Sequence, residues 1–460
     1  MNSRRFPSGA GPAFALYEAA WIAARPFLAR NARLRDGWDE RTLRRPLPRA
    51  DLWIQAASAG EAYLALEIFR AADGFAGHRT LATTGTRQGM EILAGVAGWE
   101  RAFFPFDRPS IMARAVEQVR PRIAVLLETE LWPGHLAALR SRGIPILLLN
   151  GRITERSLRG YGRTPSLWRG LRPDFVAAVS SGDANRFAAL FGPERIVVMP
   201  NIKFDRSRRA GKRRGASPGG AATPEGCFRE NAGEDPGNSM GDRWFAPGVP
   251  VVVLGSVRRE EEAAAMEMIR RIRKRVPDAV VAVAPRHLHR VSAWTALLSG
   301  AGLSPRLRSE LSEPLSAGTA AVWDVFGELD RLYGAADAVF VGGSLAPLGG
   351  QNFMEPLARG RIPVIGPHWD HFSWIGEAVF RQGLAVRVPD AEKAADALIA
   401  ALENPPDRTR VREAAWEYVA ARSGGARKAR EWIGERLAAG RTIRSVCRCG
   451  NSMEFRGVRD

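Results

Sequence analysis

Cysteine is scarce in this chain. There are three in 460 residues, Cys227, Cys447 and Cys449, an odd number with two close to the C-terminus. So small a set excludes a disulfide-stapled scaffold and points to a reducing compartment. Cys447-Arg448-Cys449 also lacks partners at the spacing of a zinc site. No stretch of about 20 uncharged apolar residues occurs, which excludes a polytopic membrane protein. Neither G-x-G-x-x-G nor G-x-x-x-x-G-K-[S/T] is present, so the dinucleotide and P-loop readings lose support. No Asp-x-Asp pair asks for a metal, and His368 and His371 have no third ligand nearby in sequence. Lysine is almost absent: five of the 67 basic residues, the other 62 being arginine, a bias of the kind genome composition produces.

What is present describes a folded protein. Apolar residues make up 45% and charged residues 25%, ordinary values for a globular chain. Its 460 residues suffice for two or three domains of roughly 150 residues each. The net charge of +18 favours anionic partners such as phosphates, anionic lipid or nucleic acid. No pattern of a nucleic-acid-binding module accompanies it, so no nucleic acid is expected.

The N-terminal segment 1–50 opens with polar residues and then runs almost wholly apolar from Ala13 to Leu28. Glu18 and Arg25, seven apart, share one stripe of a predicted helix. The segment is too short to span a bilayer. Its aromatic residues and the flanking Arg30, Arg33 and Arg35 suit an anionic membrane interface. A first helix docked on the protein's own core fits the residues equally well.

From Asp51 the chain alternates short apolar runs with helical stretches. Strands are predicted near 52–57, 79–84, 123–127, 145–150 and 175–179, then near 251–254, 279–284, 338–341 and 362–365. Helices near 391–403 and 408–437 close the chain. The alternation predicts α/β halves, each a parallel sheet with helices on both faces. We expect an N-terminal domain over 51–205 and a C-terminal domain over 247–439. Between them 206–246 reads as a basic flexible linker, and 440–460 as a disordered tail.

Ligands of open α/β sheets bind beyond the carboxyl ends of the strands, so polar residues there are the candidates. Glu61, in Ser58-Ala59-Gly60-Glu61, stands where a strand gives way to a helix. It can serve as a general base or simply complement the helix dipole. Glu128 and Glu130 follow the third strand directly. Lys203 is one of the few lysines, and a compact ammonium suits charge on a leaving phosphate. Arg286, after Pro285, places a guanidinium at a strand end. Gly342-Gly343-Ser344 forms a candidate phosphate loop, and Glu355 lies where a carboxylate holds ribose hydroxyls. Together these imply two sheets facing a cleft, with a nucleotide on the C-terminal half and an acidic base from the N-terminal half. That is the layout of a transferase using a nucleotide-activated donor.

The strings WIQAASAGE (53–61), ETELWP (128–133), NGRITERS (150–157), NIKFD (201–205), APRHLHR (284–290), FGELDRLYGAADAVFVGGSL (326–345) and GGQNFMEP (349–356) closely resemble the 3-deoxy-D-manno-octulosonic acid (Kdo) transferases. The motifs keep that family's order over about 14–430. The resemblance implies a GT-B fold: two Rossmann-like domains facing a central cleft, with an N-terminal membrane-associating helix at 13–28. It implies metal-independent, inverting transfer without a cofactor, from CMP-Kdo to the acylated, phosphorylated lipid A precursor, at the cytoplasmic face of the inner membrane. It assigns Glu61 as general base, and Glu128 and Lys203 as transition-state stabilisers. CMP contacts fall on Pro285 and Arg286, on Phe326, Gly327 and Glu328, and on Asn352, Phe353, Met354 and Glu355. Two departures stand out. Gln55 replaces the usual His, and Ser256-Val257-Arg258-Arg259 replaces the usual Ser-Thr-His-Glu. The second leaves open another CMP-linked acid or another acceptor.

Overall fold

A computed structural model of the chain describes residues 11–70, 75, 77–210 and 244–439. Most of the basic linker, with Cys227, and the tail from 440 lie outside the described residues. The chain forms two compact units. One comprises the chain up to Ile202 and again from Gly424; the other is Lys203–Ser423.

The first unit is built on seven parallel strands: β1 (Leu52–Gln55), β2 (Thr80–Thr84), β3 (Trp99–Phe103), β4 (Ile123–Leu127), β5 (Ile146–Gly151), β6 (Phe175–Ala178) and β7 (Ile196–Val198), in the order 3-2-1-4-5-6-7. The central strands β1, β2, β4 and β5 are buried throughout, which is why they read as continuous apolar runs. Strands β3 and β7 were not expected. They occupy the two edges and are largely solvent-facing, so Trp99-Glu100-Arg101 carries no apolar signature. Within β1, Trp53 packs into one layer with Leu126 and Leu148, while Leu52 and Ile54 pack into the opposite layer.

The N-terminal helix Gly11–Arg30 docks on this unit by one face. Phe14 is buried, the Tyr17 hydroxyl donates to Asp107 at 3.0 Å, and Glu18 pairs with Arg108 and accepts from the Ser110 hydroxyl at 2.7 Å. Asp107 also accepts from the Gly134 and His135 N–H groups at 2.8 and 2.7 Å, capping the helix Pro133–Ser141. Docking does not consume the whole apolar surface: Leu16 is 74% exposed and Phe27 71%. Among the described residues no helix is long and apolar enough to cross a membrane.

The second unit repeats the plan with β8 (Val251–Val257), β9 (Val280–Pro285), β10 (Pro305–Leu307), β11 (Ala320–Val322), β12 (Ala338–Val341), β13 (Pro363–Ile365) and β14 (Val386–Arg387), all parallel, in the order 10-11-9-8-12-13-14. The extra strands β10, β11 and β14 have two or three residues each, too short for a periodicity to register.

Three domain boundaries differ from the sequence reading. The stretch 408–437 is two helices, Arg408–Ala420 and Gly425–Ala438, broken at Gly424, whose φ of 106° is a left-handed conformation that favours glycine. The second helix belongs to the first unit rather than to the C-terminal domain. Ala426, Ala429, Ile433 and Leu437 pack with Leu52, Ile54 and Leu64, an apolar stripe that local sequence cannot assign to a sheet. The ends of the supposed linker are also ordered. The helix Ile202–Ala210 runs into it, and Trp244 and Phe245 are buried in the second unit's core.

Replacing Ile433 by Ala removes a fully buried side chain from the first unit's core. We expect a loss of about 2–4 kcal/mol, read from urea unfolding followed by a probe in the first unit.

Candidate active site

In the first unit, the chain leaves β1 toward β2, while β4 pairs on the other side of β1. The turns after β1 and β4 therefore diverge and leave a crevice at the strand ends, the usual ligand position of an open sheet. Glu61 lies in the first turn of the helix Ala59–Arg70, just after β1. Its carboxylate is 6% exposed and accepts from the Ala57 N–H at 2.6 Å and the Ser58 hydroxyl at 2.9 Å. Burial, and then the charges of Glu130 and Glu128 across the switch, push its pKa up to about 8.

Glu130 is also raised, chiefly by burial, and accepts from the Trp132 indole N–H at 2.6 Å. Glu128 is the residue at which β4 turns outward, with φ 54°, and Asn150 at the end of β5 has φ 56°. Such left-handed backbone at non-glycine residues costs on the order of 1 kcal/mol or more and clusters at ligand sites. The Asn150 side-chain oxygen accepts from Ile202 N–H at 2.9 Å, while its buried Nδ2 has no hydrogen-bond partner among the described residues. Behind the site Gln55 is fully buried, accepting from the Thr83 hydroxyl at 2.5 Å.

The second unit has its own switch point, between β8 and β12. Ser256 ends the regular part of β8 with φ 56°. Its neighbour across the turn is Gly342, where an added Cβ would lie 2.7 Å from the Ser256 carbonyl oxygen. Arg286 follows β9, with its N–H donating to the Val257 carbonyl at 2.9 Å. The Tyr333 phenol is fully buried. Burial first, and then the nearby Glu355 carboxylate, raises its pKa, while a hydrogen bond to Ser256 and the charge of Arg286 oppose the shift. Glu355 in turn accepts from the Asn352 amide at 3.0 Å.

One expectation fails in this unit. Gly342-Gly343-Ser344 is not an open phosphate loop. The buried Glu261 carboxylate accepts from Gly343 N–H, from Ser344 N–H at 2.8 Å and from Leu345 N–H at 2.7 Å. The Gly342 N–H donates to the Gly255 carbonyl. Glycine does permit the backbone to close round an anion, but the anion is the protein's own. Nothing in the local spacing pairs residue 261 with residues 343–345; the parallel pairing of β8 with β12 brings them together.

The remaining candidates separate by what their side chains touch. Phe326 is 76% exposed beside Gly327, whose φ is 87°. Glu328 is instead held in a bidentate pair with Arg308, at 2.9 and 3.0 Å, and accepts from the Trp323 indole. Phe353 and Met354 are core residues, Phe353 packing against Trp369, Phe372 and Phe380. Pro285 is buried as well, so none of the three presents a side chain to a ligand. Lys203 is the first residue of the second unit, followed by Phe204 in that unit's core. Glu61 and Glu128 thus share one unit, and Lys203, Arg286 and Glu355 the other. Tyr333 and Glu261 were missed by sequence reasoning, and Ser256 was noted only as part of a departing motif.

The family model described as 3-deoxy-D-manno-octulosonic-acid transferase (kdotransferase) matches residues 36–206. The 3-deoxy-D-manno-octulosonic acid transferase of Bordetella pertussis is 32% identical over 411 residues, covering 85% of this chain and 90% of that protein. The enzyme of the same name from Haemophilus influenzae is 28% identical over 366 residues, covering 77% and 79%. Among solved structures, a glycosyltransferase from Rickettsia africae matches with a TM-score of 0.54 at 14% identity, covering 84% of this chain and 98% of that one. The UDP-GlcNAc 2-epimerase from Neisseria meningitidis matches at 0.51 and 11%, covering 85% and 100%. At such identities these structures speak to the fold alone: two parallel-sheet α/β units of the GT-B kind.

Two outcomes follow from the buried carboxylates. Glu261→Ala strips three backbone N–H groups of a charged acceptor and should cost about 2–4 kcal/mol, measured by denaturant unfolding. Glu61 has a pKa raised in the folded state, so the folded protein holds more protons there than the unfolded chain between about pH 4.5 and about 8. Stability must therefore fall as pH rises through that window. Unfolding curves at pH 5 and pH 8 should show this slope, and Glu61→Gln should flatten it.

Proposed function

The chain belongs to the 3-deoxy-D-manno-octulosonic acid transferase family of glycosyltransferases, and from that premise we propose that it moves Kdo from CMP-Kdo to the lipid A precursor by an inverting, metal-independent displacement. Kdo transfer is a step of lipopolysaccharide biosynthesis. In the proposed reaction an acceptor sugar hydroxyl attacks C2 of Kdo. A C2–O bond to the acceptor forms, the C2–O bond to the phosphate of CMP breaks, and the hydroxyl proton passes to Glu61.

The observation that carries this reading is the environment of Glu61. A carboxylate exposed to water is too weak a base to take a proton from a hydroxyl efficiently at neutral pH. Burial beside Glu128 and Glu130 raises its basicity toward the working pH. Its Oε atoms keep lone pairs beyond those used by Ala57 and Ser58, so it can accept the hydroxyl without surrendering its anchors. Glu128, in this reading, lends negative potential near the developing positive character at C2.

On the donor side, Arg286 suits the phosphate whose charge grows as the bond breaks, with Lys203 as a second cation. Phe326 offers a face to cytosine, and Glu355, held by Asn352, offers acceptors for ribose hydroxyls. The acceptor reading draws on the N-terminal helix, whose undocked face carries Leu16, Ile22 and Phe27 beside exposed Arg25, Arg30, Arg33 and Arg35. That combination suits peripheral attachment to an anionic leaflet, here the cytoplasmic face of the inner membrane, where an acylated, phosphorylated acceptor resides.

The test uses purified protein, CMP-Kdo generated in situ and lipid A precursor, following CMP release and lipid mass. Glu61→Gln should lower the rate by ~10²–10⁴-fold. In the wild type kcat/KM should fall tenfold per unit as pH drops below an apparent pKa near 8, a value that belongs to the group of acids as a whole. Wild-type turnover in Glu61→Gln, or the same acid limb persisting in it, would reject the base assignment.

A further inference from the structure

We propose that Arg258 is a specificity residue that reads the carboxylate of the donor sugar, beside the nucleotide phosphate held by Arg286. The inference rests on the donor reading above and goes beyond it by assigning the acid group to a residue of its own.

The geometry begins with two adjacent parallel strands. Strands β8 and β9 stay paired past a register shift between Gly255 and Val257, so that Val257 faces Pro285, and the Arg286 N–H then donates to the Val257 carbonyl at 2.9 Å. Arg258 and Arg286 thus leave neighbouring strand ends side by side, one strand spacing apart, about 5 Å. The Arg258 backbone is pinned: its N–H donates to the Glu261 carboxylate at 3.3 Å, the same carboxylate that fills the 343–345 loop. The guanidinium is left partly open, with 28% of the side chain exposed.

The charge around it is one-sided. His287 sits in the field of Arg258, Arg286 and His289, and its pKa is lowered by desolvation first and then by those positive charges. His287 and His289 stack in parallel with centroids 5.5 Å apart. The acid facing Arg258 is Glu260, 3.9 Å from its Nε and half-exposed. At that distance and exposure the pair is weak and does not neutralise the two guanidinium groups of Arg258 and Arg286. Glu262, next along, is committed to Arg290 through contacts of 2.9 and 2.6 Å. A concentration of cations with its acids used elsewhere calls for an external anion, and the loop that normally supplies amide donors is closed by Glu261. A ligand anion here must therefore be bound by side chains.

The donor chemistry supplies two anions with matching spacing. In a CMP-linked 2-ulosonic acid, C2 bears both the phosphate ester oxygen and the carboxylate. The two negative groups are substituents of one carbon and lie a few ångströms apart. Two guanidinium groups on adjacent strand ends can take one each, and planar guanidinium suits a carboxylate bidentately. A nucleotide sugar without the acid would leave Arg258 with only its weak pair to Glu260, which converts the cluster into a selection against neutral sugars. The same chemistry could be met by a phosphate of the acceptor, and the experiment separates the two sources.

The full-length enzyme is assayed for KM toward CMP-Kdo, KM toward lipid A precursor, and inhibition by CMP, which carries the phosphate but no sugar acid. Arg258→Gln should raise KM for CMP-Kdo by about tenfold or more, leave CMP inhibition within twofold, and leave the acceptor KM unchanged. Arg258→Lys should recover part of the loss. Arg286→Gln should weaken CMP-Kdo and CMP together. An unchanged donor KM in Arg258→Gln overturns the proposal, as does equal weakening of CMP, which would make Arg258 a phosphate ligand. A shift confined to the acceptor KM assigns the anion to the acceptor and overturns it also. If CMP fails to inhibit the wild type, the donor reading itself falls. Thermal unfolding of both Arg258 variants, expected to match the wild type because the side chain is partly exposed, keeps a folding defect distinct from these outcomes.

Discussion

A charged carboxylate is stable in a protein interior only where donors or a shifted pKa compensate for lost water, and this constraint is met in opposite ways in the two units. In the first, burial and then two acidic neighbours raise the pKa of Glu61 against the opposing effect of its two donors, so its proton is held tightly. In the second, Glu261 has the N–H groups of Gly343, Ser344 and Leu345 around it. One carboxylate is left basic and the other is fully committed. Both sit at a topological switch point, where diverging crossovers leave room for a ligand but also leave backbone groups unpaired.

That contrast organises the rest. Because Glu261 ties the turn after β8 to the loop after β12, the positions of Ser256, Arg258 and Gly342 are fixed together. The backbone there cannot also wrap a phosphate, so in the proposed donor reading anion recognition in the second unit falls to the side chains of Arg286 and Arg258. In the first unit the left-handed backbone at Glu128 and Asn150 performs a comparable role. It turns the ends of β4 and β5 abruptly enough to place Glu128 and Glu130 within electrostatic reach of Glu61, at a backbone cost that the surrounding sheet bears.

The boundary between the units illustrates why local patterns can mislead. Residues 408–437 read as one amphipathic stretch, but Gly424 breaks it, and Ile433 and Leu437 complete the core of the unit that began the chain. The apolar stripe says only that the helix must be covered. Which sheet covers it depends on where the chain is carried after a left-handed residue. The edge strands β3 and β7 escaped notice for a related reason. Paired on one side and wetted on the other, they need no continuous apolar run.

By itself the sequence determined the α/β class, the buried central strands, the division into two halves and the strand-end positions of Glu61, Glu128 and Arg286. These follow from periodicity, and from the rule that polar residues after a buried strand face a ligand. The family resemblance rested on the same strings. Only the tertiary structure decided which of those polar groups remain available. Glu328 is drawn to Arg308 and Trp323, Phe353 and Met354 turn into the core, and the glycine loop at 342–344 closes on Glu261, because each partner is remote in the chain. The pKa of Glu61 was equally invisible in sequence. It depends on burial and on carboxylates more than sixty residues away, brought close by the pairing of β1 with β4.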